Sequence, residues 1–294
     1  MNDHSGATVL PFERPDRRRF DPTLRRISRG VYIPATSQAT LAERAQAIAA
    51  ACHPGNVAVD RTAAWLHGID THAQIEWSLD VPLEFCAAPG SVRVQRREVR
   101  GGTRNLHPSD LMTLHGVTVT TPVRTALDLG CVLRRREAMA ALDGFARLHS
   151  VTAGDLLLNL DRYRGRRGVV QLRELIGHID PRSESPRESW MRLAIIDAGL
   201  PTPEPQVWID VAERPTYRVD LAYRLARIAI EYDGAEAHST VEQRVRDERR
   251  RRDLRQMGWS IIVVREGDFH PDRLGEWLQQ IREALARPYS SRRW

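Results

Sequence analysis

The chain has 294 residues, of which 41% are hydrophobic and 28% charged, a balance that excludes wholesale disorder and predicts about two globular domains. No apolar run approaches the ~20 residues of a membrane span, and three widely spaced cysteines argue against a disulfide framework or a cysteine-based zinc site and favour the cytoplasm. The formal net charge is +6, and all 44 cationic side chains are arginine, which binds phosphate through a planar fork and favours a polyanionic partner.

Short helices and short strands alternate in the first half of the chain. Residues 1–20 are polar and arginine-rich, so we expect a flexible N-terminus. The pattern beyond them predicts an α+β domain over residues 21–150. Its predicted elements are, in chain order, a turn and strand at Arg29–Pro34, helices at Thr40–Ala51 and Asp60–His67, strands at Trp77–Val81, Leu83–Cys86, Val92–Val94 and Val117–Thr121, and helices that begin at Thr121 and Glu137.

The middle of the chain is rich in arginine and glycine. These residues are concentrated in Asp161–Val169, which we interpret as a loop at the approach to a domain boundary. We therefore expect a linker over residues 151–182 and a second domain over residues 183–294.

The second domain has a clearer pattern. Ser185-Pro186-Arg187-Glu188 predicts a helix start, with serine as the cap, proline at the first helical position and glutamate able to bond back to the cap. The elements that follow are strands at Val207–Val211, Tyr217–Tyr223 and Arg227–Asp233, a long polar helix from Ser239 to about Met257, a buried strand at Trp259–Val264 and a helix at Pro271–Ala286. This order predicts an α/β domain with a small mixed sheet flanked by helices.

Carboxylates gather near the ends of two predicted strands. Glu231 and Asp233 are two residues apart on one strand and so share a face, and a hairpin places Asp220 close to Glu231. Like charges ~4 Å apart repel by about 4 kcal/mol at an effective dielectric of 20, which a divalent cation would remove. Oxygen ligands favour Mg²⁺ or Mn²⁺, held by Asp220 and Glu231. The alternative is that these acids are solvated or paired with the abundant arginines.

Other polar residues near these strands have two open interpretations each. Glu188 is either a capping glutamate or a further acid of the site, and both roles are compatible. His238 either positions or deprotonates a water molecule, or caps the next helix. The arginines of that helix form a solvated face or hold backbone phosphates. The candidate nucleic-acid-binding residues are Arg244, Arg250, Arg251, Arg255 and Arg265.

Residues 183–285 resemble the very-short-patch-repair-like branch of the PD-(D/E)XK nuclease superfamily. The matching segments are Ser185-Pro186-Arg187-Glu188, Leu200-Pro201-Thr202-Pro203, Arg218–Tyr223, Ile230–Gly234, His238, Asp247 with Arg250, Gly258-Trp259 and Val263-Val264-Arg265. The resemblance implies a restriction-endonuclease-like fold, with Glu188 as the helix acid, Asp220 as the central metal ligand and Glu231 as the second ligand. Asp233 replaces the usual lysine of the superfamily, so His238 or Arg265 would have to fill that role.

The first half is similar to AbiEi-type antitoxins of abortive-infection systems. The similarity covers about residues 24–135 and rests on Arg29–Pro34, Ala63–Gly68 and Thr121–Asp128. In that family the first of these segments is the wing of a winged helix. The resemblance therefore implies a partial winged-helix element in an α+β domain.

These patterns predict a metal-dependent DNA endonuclease that acts in a defence or toxin–antitoxin context. Asp220, Glu231, Asp233, His238 and Glu188 would form its catalytic site, with Mg²⁺ or Mn²⁺ as cofactor. One alternative is a non-catalytic, DNA-binding, antitoxin-like transcriptional regulator on a degenerate nuclease fold. Another is a protein-interaction module in a defence system. DNA is the expected partner, with a protein partner for the N-terminal domain and no membrane.

Overall fold

The computed structural model describes residues 24–28, 31–34, 45–49, 55–71, 83–88, 99–102, 104–211, 214–234 and 241–287, with backbone alone for 24–28, 31–34, 99–102, 215 and 241–244. Several predicted features lie outside the described residues: the flexible N-terminus at 1–20, the strands at 77–81 and 92–94, and His238. The chain divides into two compact units, Met1–Gly177 and His178–Trp294. Within the described parts of the chain, none of the helices is long and apolar enough to cross a membrane.

The first unit combines a mixed sheet with helices. Its described elements are β1 (Leu24–Ser28), β2 (Val31–Pro34), β3 (Asn56–Ala58), α1 (Asp60–Leu66), β4 (Leu83–Ala87), β5 (Val99–Gly102), a 3-10 turn (Pro108–Asp110), β6 (Leu111–Leu114), β7 (Val117–Thr120), α2 (Pro122–Val132), α3 (Arg135–His149), α4 (Ala153–Asn159), a 3-10 turn (Leu160–Tyr163) and α5 (Val169–Ile176). Residues 45–49 are also helical. Among the described residues, five strands pair in the order β5-β4-β3-β7-β6, and β1 and β2 form a separate antiparallel pair.

Local sequence explains where several of these helices begin. Thr121 caps α2 through its hydroxyl, which accepts from the backbone N–H of Arg124, and Pro122 occupies the first helical position. Thr152 and Asp155 form a reciprocal capping box at the start of α4. The core beneath the sheet includes the buried side chains of Trp65 and Phe85.

The segment 151–182, expected to be a linker, instead contains α4 and α5. Leu156, Leu172 and Leu175 are fully buried there, and the compact unit ends only at Gly177. The arginines of the predicted loop include Arg162 and Arg166, which form ion pairs with buried carboxylates. A charged segment can therefore belong to a folded unit when its charges have buried partners.

The second unit has the predicted order of helix, three strands, helix, strand and helix. The elements are α6 (Pro186–Asp197), β8 (Glu204–Val211), β9 (Arg214–Tyr223), β10 (Ile228–Tyr232), α7 (Val241–Gln256), β11 (Ser260–Val264), a 3-10 turn (Glu266–Phe269) and α8 (Pro271–Ala286). The four strands of the described residues pair as β11-β10-β9-β8, with β10 and β11 parallel and the other pairs antiparallel, so the sheet is mixed as expected. The predicted hairpin is confirmed by the pairing of β9 with β10.

Two apolar clusters place helices on both faces of this sheet. Ile228 and Ile230 pack in one cluster with side chains of α6 and α8, whereas Ala229 packs in the other with Leu254 of α7. Because successive residues of a strand point to opposite faces, α7 lies on the face opposite α6 and α8. Glu231 shares the face of Ala229 and therefore faces α7.

Candidate functional site

The first residue of the acidic site is held at the start of α6. Ser185 caps this helix, its hydroxyl accepting from the backbone N–H of Glu188 at 3.3 Å. The carboxylate of Glu188 accepts from the backbone N–H of Glu184 at 2.9 Å and from Nε2 of Gln206 at 2.7 Å. The expected return bond to the cap thus goes one residue further back, to Glu184. Glu188 is buried, and both of these donors compensate its charge.

The β9–β10 hairpin brings the next two acids together. Leu221 pairs with Ile230, and this register continued by one residue sets Asp220 opposite Glu231. The backbone N–H of Tyr232 donates to Oδ2 of Asp220 at 2.8 Å. Burial and the negative charges of Glu188 and Glu231 raise the pKa of Asp220 to about 6. The hydrogen bond from the backbone N–H of Tyr232 and the positive charge of Arg250 act in the opposite direction.

Glu231 and Asp233 are paired with arginines of α7. Nη1 and Nη2 of Arg250 donate to the two oxygens of Glu231 at 2.6 and 2.9 Å, a bidentate pair, and Glu231 is only 3% exposed. Nη2 of Arg251 donates to Asp233 at 2.9 Å, and its Nε lies 3.6 Å from Glu231. For these two acids the structure shows the arginine pairing that the sequence left open as an alternative.

This arrangement does not fit Mg²⁺ or Mn²⁺ at Asp220 and Glu231. Both oxygens of Glu231 accept from Arg250, so a cation bound to either of them would lie beside the positively charged guanidinium. Over the part of the chain that the structure describes, no group of three or more His, Cys, Asp or Glu side chains is placed to hold a metal ion. A hard divalent cation needs several oxygen ligands, and here it would also meet the positive charge of Arg250.

The other predicted residues are dispersed around α7 and β11. Arg255 and Arg265 are exposed, whereas Arg250 and Arg251 are half-buried in their ion pairs. The side chain of Arg244 lies outside the described residues, as does the whole of His238. Three further described arginines of α7 are exposed and were not among the predicted nucleic-acid-binding residues: Arg246, Arg249 and Arg252.

Sequence reasoning also missed Gln206, which donates to Glu188 from the neighbouring strand. Gln206 has a φ of 54°, in the left-handed region, within β8. It lies between the pairs Pro205–Leu221 and Val207–Val219, and therefore opposite Asp220. Neither spacing nor residue type identifies it in advance, because its position depends on an irregular strand.

A second charged cluster, also absent from the predictions, lies in the first unit. Asp128 has no exposed side-chain surface and accepts from Arg104, Arg124 and Arg166 at 2.7–3.0 Å, and from the hydroxyl of Tyr163 at 2.6 Å. Burial by itself would raise the pKa of Asp128, but the positive charges of the arginines outweigh this effect and lower the pKa. We interpret this cluster as structural, because most of these polar groups are buried and paired.

Two histidines, the buried His67 and the half-buried His149, lie close together in the same unit. Nε2 of His67 lies 2.7 Å from the carbonyl oxygen of Thr120, and Nε2 of His149 lies 2.7 Å from the carbonyl oxygen of His67. Burial lowers the pKa of His67 to about 4, with a smaller contribution from the neighbouring His149. His67 is therefore neutral at pH 7 and donates its ring N–H to Thr120.

Comparison with known proteins gives matches to a family and to two mycobacterial sequences. Residues 49–178 match the family described as the AbiEi antitoxin C-terminal domain. The chain is 35% identical over 216 residues to two proteins of Mycobacterium tuberculosis, the uncharacterized proteins Rv2248 and MT2308, covering 72% of this chain and 76% of each relative. No solved structure matches significantly.

Proposed function

The chain belongs to the same family as these mycobacterial proteins and matches the AbiEi antitoxin C-terminal domain over residues 49–178, and from this premise we propose that it is an antitoxin-like, DNA-binding protein without hydrolytic activity. The family match carries the proposal and suggests a toxin–antitoxin or abortive-infection context. In that context the first unit contacts a protein partner.

DNA binding is assigned to the exposed arginines of α7 and its surroundings. Arg249, Arg252 and Arg255 are exposed along this helix, and the chain as a whole carries a net charge of +6. Arginine forks bind phosphate oxygens, and such contacts position a protein on DNA without reading its sequence. We therefore expect binding that depends steeply on salt and weakly on sequence.

Salt-dependent binding to a labelled duplex, followed by fluorescence anisotropy, tests this assignment. The double variant Arg252→Gln/Arg255→Gln is compared with Arg282→Gln/Arg287→Gln, which removes two exposed charges from α8 and the residue after it. Each phosphate contact contributes about 0.9 to the slope of log K against log salt. The α7 variant is expected to lower that slope by about 2, and the control by much less. Equal losses in both variants, or no binding at low salt, would contradict the proposal.

Metal-dependent hydrolysis of DNA is a second candidate function. The observation that favours it is the approach of Glu188 and Glu231 to Asp220. Burial, together with these two negative charges, raises the pKa of the Asp220 carboxyl. In this alternative Asp220 and Glu231 hold Mg²⁺ or Mn²⁺, while Glu188, Asp233 and His238 complete the site. The arginine pairing of Glu231 weighs against it.

Plasmid nicking with Mg²⁺ or Mn²⁺ decides between the two functions. The wild type is compared with Asp220→Ala and Glu231→Ala. We expect no cleavage by any of the three proteins. Cleavage by the wild type that is lost in both variants would establish the nuclease and refute the non-catalytic proposal. Cleavage that survives both substitutions would place hydrolysis away from this site and would equally contradict the proposal.

A further inference from the structure

We propose that Arg250 takes the place of a metal ion at the acidic cluster formed by Glu188, Asp220 and Glu231, so that the chain neutralises this cluster with its own guanidinium and excludes divalent cations. The inference goes beyond the proposed function, because it assigns Arg250 a role that DNA binding does not require.

Packing holds Arg250 against Glu231. Leu254, one helical turn later in α7, is fully buried in the cluster that contains Ala229, and the hydroxyl of Tyr217 donates to Asp253 at 2.7 Å. These contacts fix the face of α7 that the sheet meets. Nη1 of Arg250 also donates to the carbonyl oxygen of Arg218 at 3.3 Å. The guanidinium is thus positioned by the fold as well as by its ion pair.

Each acid of the cluster has a compensating group that is not a metal. Glu231 has the two N–H donors of Arg250. Glu188 has the backbone N–H of Glu184 and the amide of Gln206. Asp220 accepts from the backbone N–H of Tyr232. A cation would add a second positive charge beside a guanidinium, at a cost that grows as the surroundings exclude water.

Removal of this guanidinium is therefore expected to create a metal site. In Arg250→Gln the carboxylate of Glu231 loses its bidentate partner and keeps only the more distant Nε of Arg251 at 3.6 Å. Asp220 stays opposite Glu231 on the neighbouring strand, and Glu188 stays near Asp220. The neighbouring carboxylates of Asp220 and Glu231, once freed of the Arg250 guanidinium, favour the binding of a hard ion such as Mn²⁺. Arg250→Lys keeps a positive charge and serves as the matched control.

The experiment measures thermal unfolding and calorimetric binding of the full chain with MnCl₂ as the probe. We expect no saturable Mn²⁺ effect in the wild type or in Arg250→Lys. We expect Arg250→Gln to melt at a lower temperature and to recover saturably by about 5 °C with Mn²⁺, and we expect the double variant Arg250→Gln/Asp220→Asn to lose that recovery.

Two results would overturn the proposal. One is saturable Mn²⁺ binding by the wild type that Asp220→Asn abolishes, because the cluster would then hold a metal with Arg250 present. The other is a folded Arg250→Gln that gains no Mn²⁺ response. The first comparison does not use Arg250→Gln, so it remains decisive if that variant fails to fold. Neither result depends on DNA binding, so this proposal and the proposed function can fail separately.

Discussion

At the scale of single residues, the environment of Asp220 opposes its negative charge. The side chain is half-buried, and Glu188 and Glu231 add negative potential around it. A carboxyl whose pKa is higher in the folded than in the unfolded state binds protons more tightly when folded. This tighter proton binding stabilises the folded protein fully below pH 3.8, the ordinary pKa of aspartate. The stabilisation is lost as the pH rises through about 6, the pKa of Asp220 in the folded protein.

We predict that Asp220→Asn stabilises the protein at pH 7. The amide oxygen can still accept from the backbone N–H of Tyr232, while the unfavourable charge is gone. One pKa unit corresponds to about 1.4 kcal/mol, so the gain in the free energy of unfolding is expected to be about 1–3 kcal/mol. Urea denaturation from pH 4 to pH 8 measures it. A gain that does not shrink towards pH 4 would refute this account of the charge.

Asp128 shows the opposite situation, a buried acid whose charge is stabilised. Its side chain is fully buried and meets three arginines and one tyrosine hydroxyl. Loss of one partner from a buried ion network leaves the remaining charges without compensation. The arginines would then be poorly paired in a region that largely excludes water.

We predict that Asp128→Ala lowers the free energy of unfolding by about 3–5 kcal/mol. The control is Asp161→Ala, which removes an acid from the exposed pair with Arg164 and should cost less than about 0.5 kcal/mol. Chemical denaturation of both variants at pH 7 gives the comparison. Similar losses in the two variants would show that the buried network contributes no more than a surface pair.

At the scale of elements, a glycine allows the close approach of α5 to α2. Gly168 precedes α5 with a φ of 85°, and a Cβ there would lie 2.0 Å from the carbonyl oxygen of Cys131. The obstructing atom belongs to the backbone, so no side-chain rotation relieves the clash. Gly165 has a similar φ of 76° but no heavy atom within 4 Å of such a Cβ. A comparison of substitutions at these two glycines therefore distinguishes the cost of the steric clash from the cost of the backbone strain.

We predict that Gly168→Ala destabilises the protein by about 3 kcal/mol or more, since both the left-handed backbone and the clash oppose alanine. Gly165→Ala meets only the backbone strain, and a loss of about 1 kcal/mol is expected. Urea denaturation of the pair measures the difference. Equal losses would mean that α5 shifts at little cost to make room for the methyl group.

At the scale of the whole molecule, acidification is expected to destabilise the first unit through His67 and to stabilise the second unit through Asp220. His67 in the first unit has a pKa lowered to about 4 from 6.5. A base with a depressed pKa contributes stability above its unfolded value, and that contribution is lost as the pH falls towards the folded value. Asp220 in the second unit makes its contribution at low pH instead.

We predict that His67→Gln reduces the acid sensitivity of the first unit between pH 6.5 and pH 4. Glutamine can still donate to the carbonyl oxygen of Thr120 but takes up no proton, so up to about 3 kcal/mol of pH dependence should disappear. Hydrogen exchange, corrected for the intrinsic rate at each pH, reports the two units separately. A change confined to residues 178–294, or none, would contradict the prediction.

Much of the second unit could be predicted because the signals are local. The cap at Ser185, the alternation of the hairpin strands and the apolar run of β11 each depend on residues close together in the chain. The AbiEi resemblance of the first half agrees with the family match over residues 49–178. The same local signals indicated that Asp220 and Glu231 lie on neighbouring strands.

Which counter-charge each acid receives was decided only by the tertiary structure. Arg250 is 19 residues from Glu231 along the chain, and Arg166 is 38 residues from Asp128. Spacing cannot select one arginine among 44, because the choice depends on how helices such as α7 pack on the strands. Local patterns determine which residues form a strand or cap a helix, whereas the balance between metal and guanidinium arises from packing between elements distant in sequence.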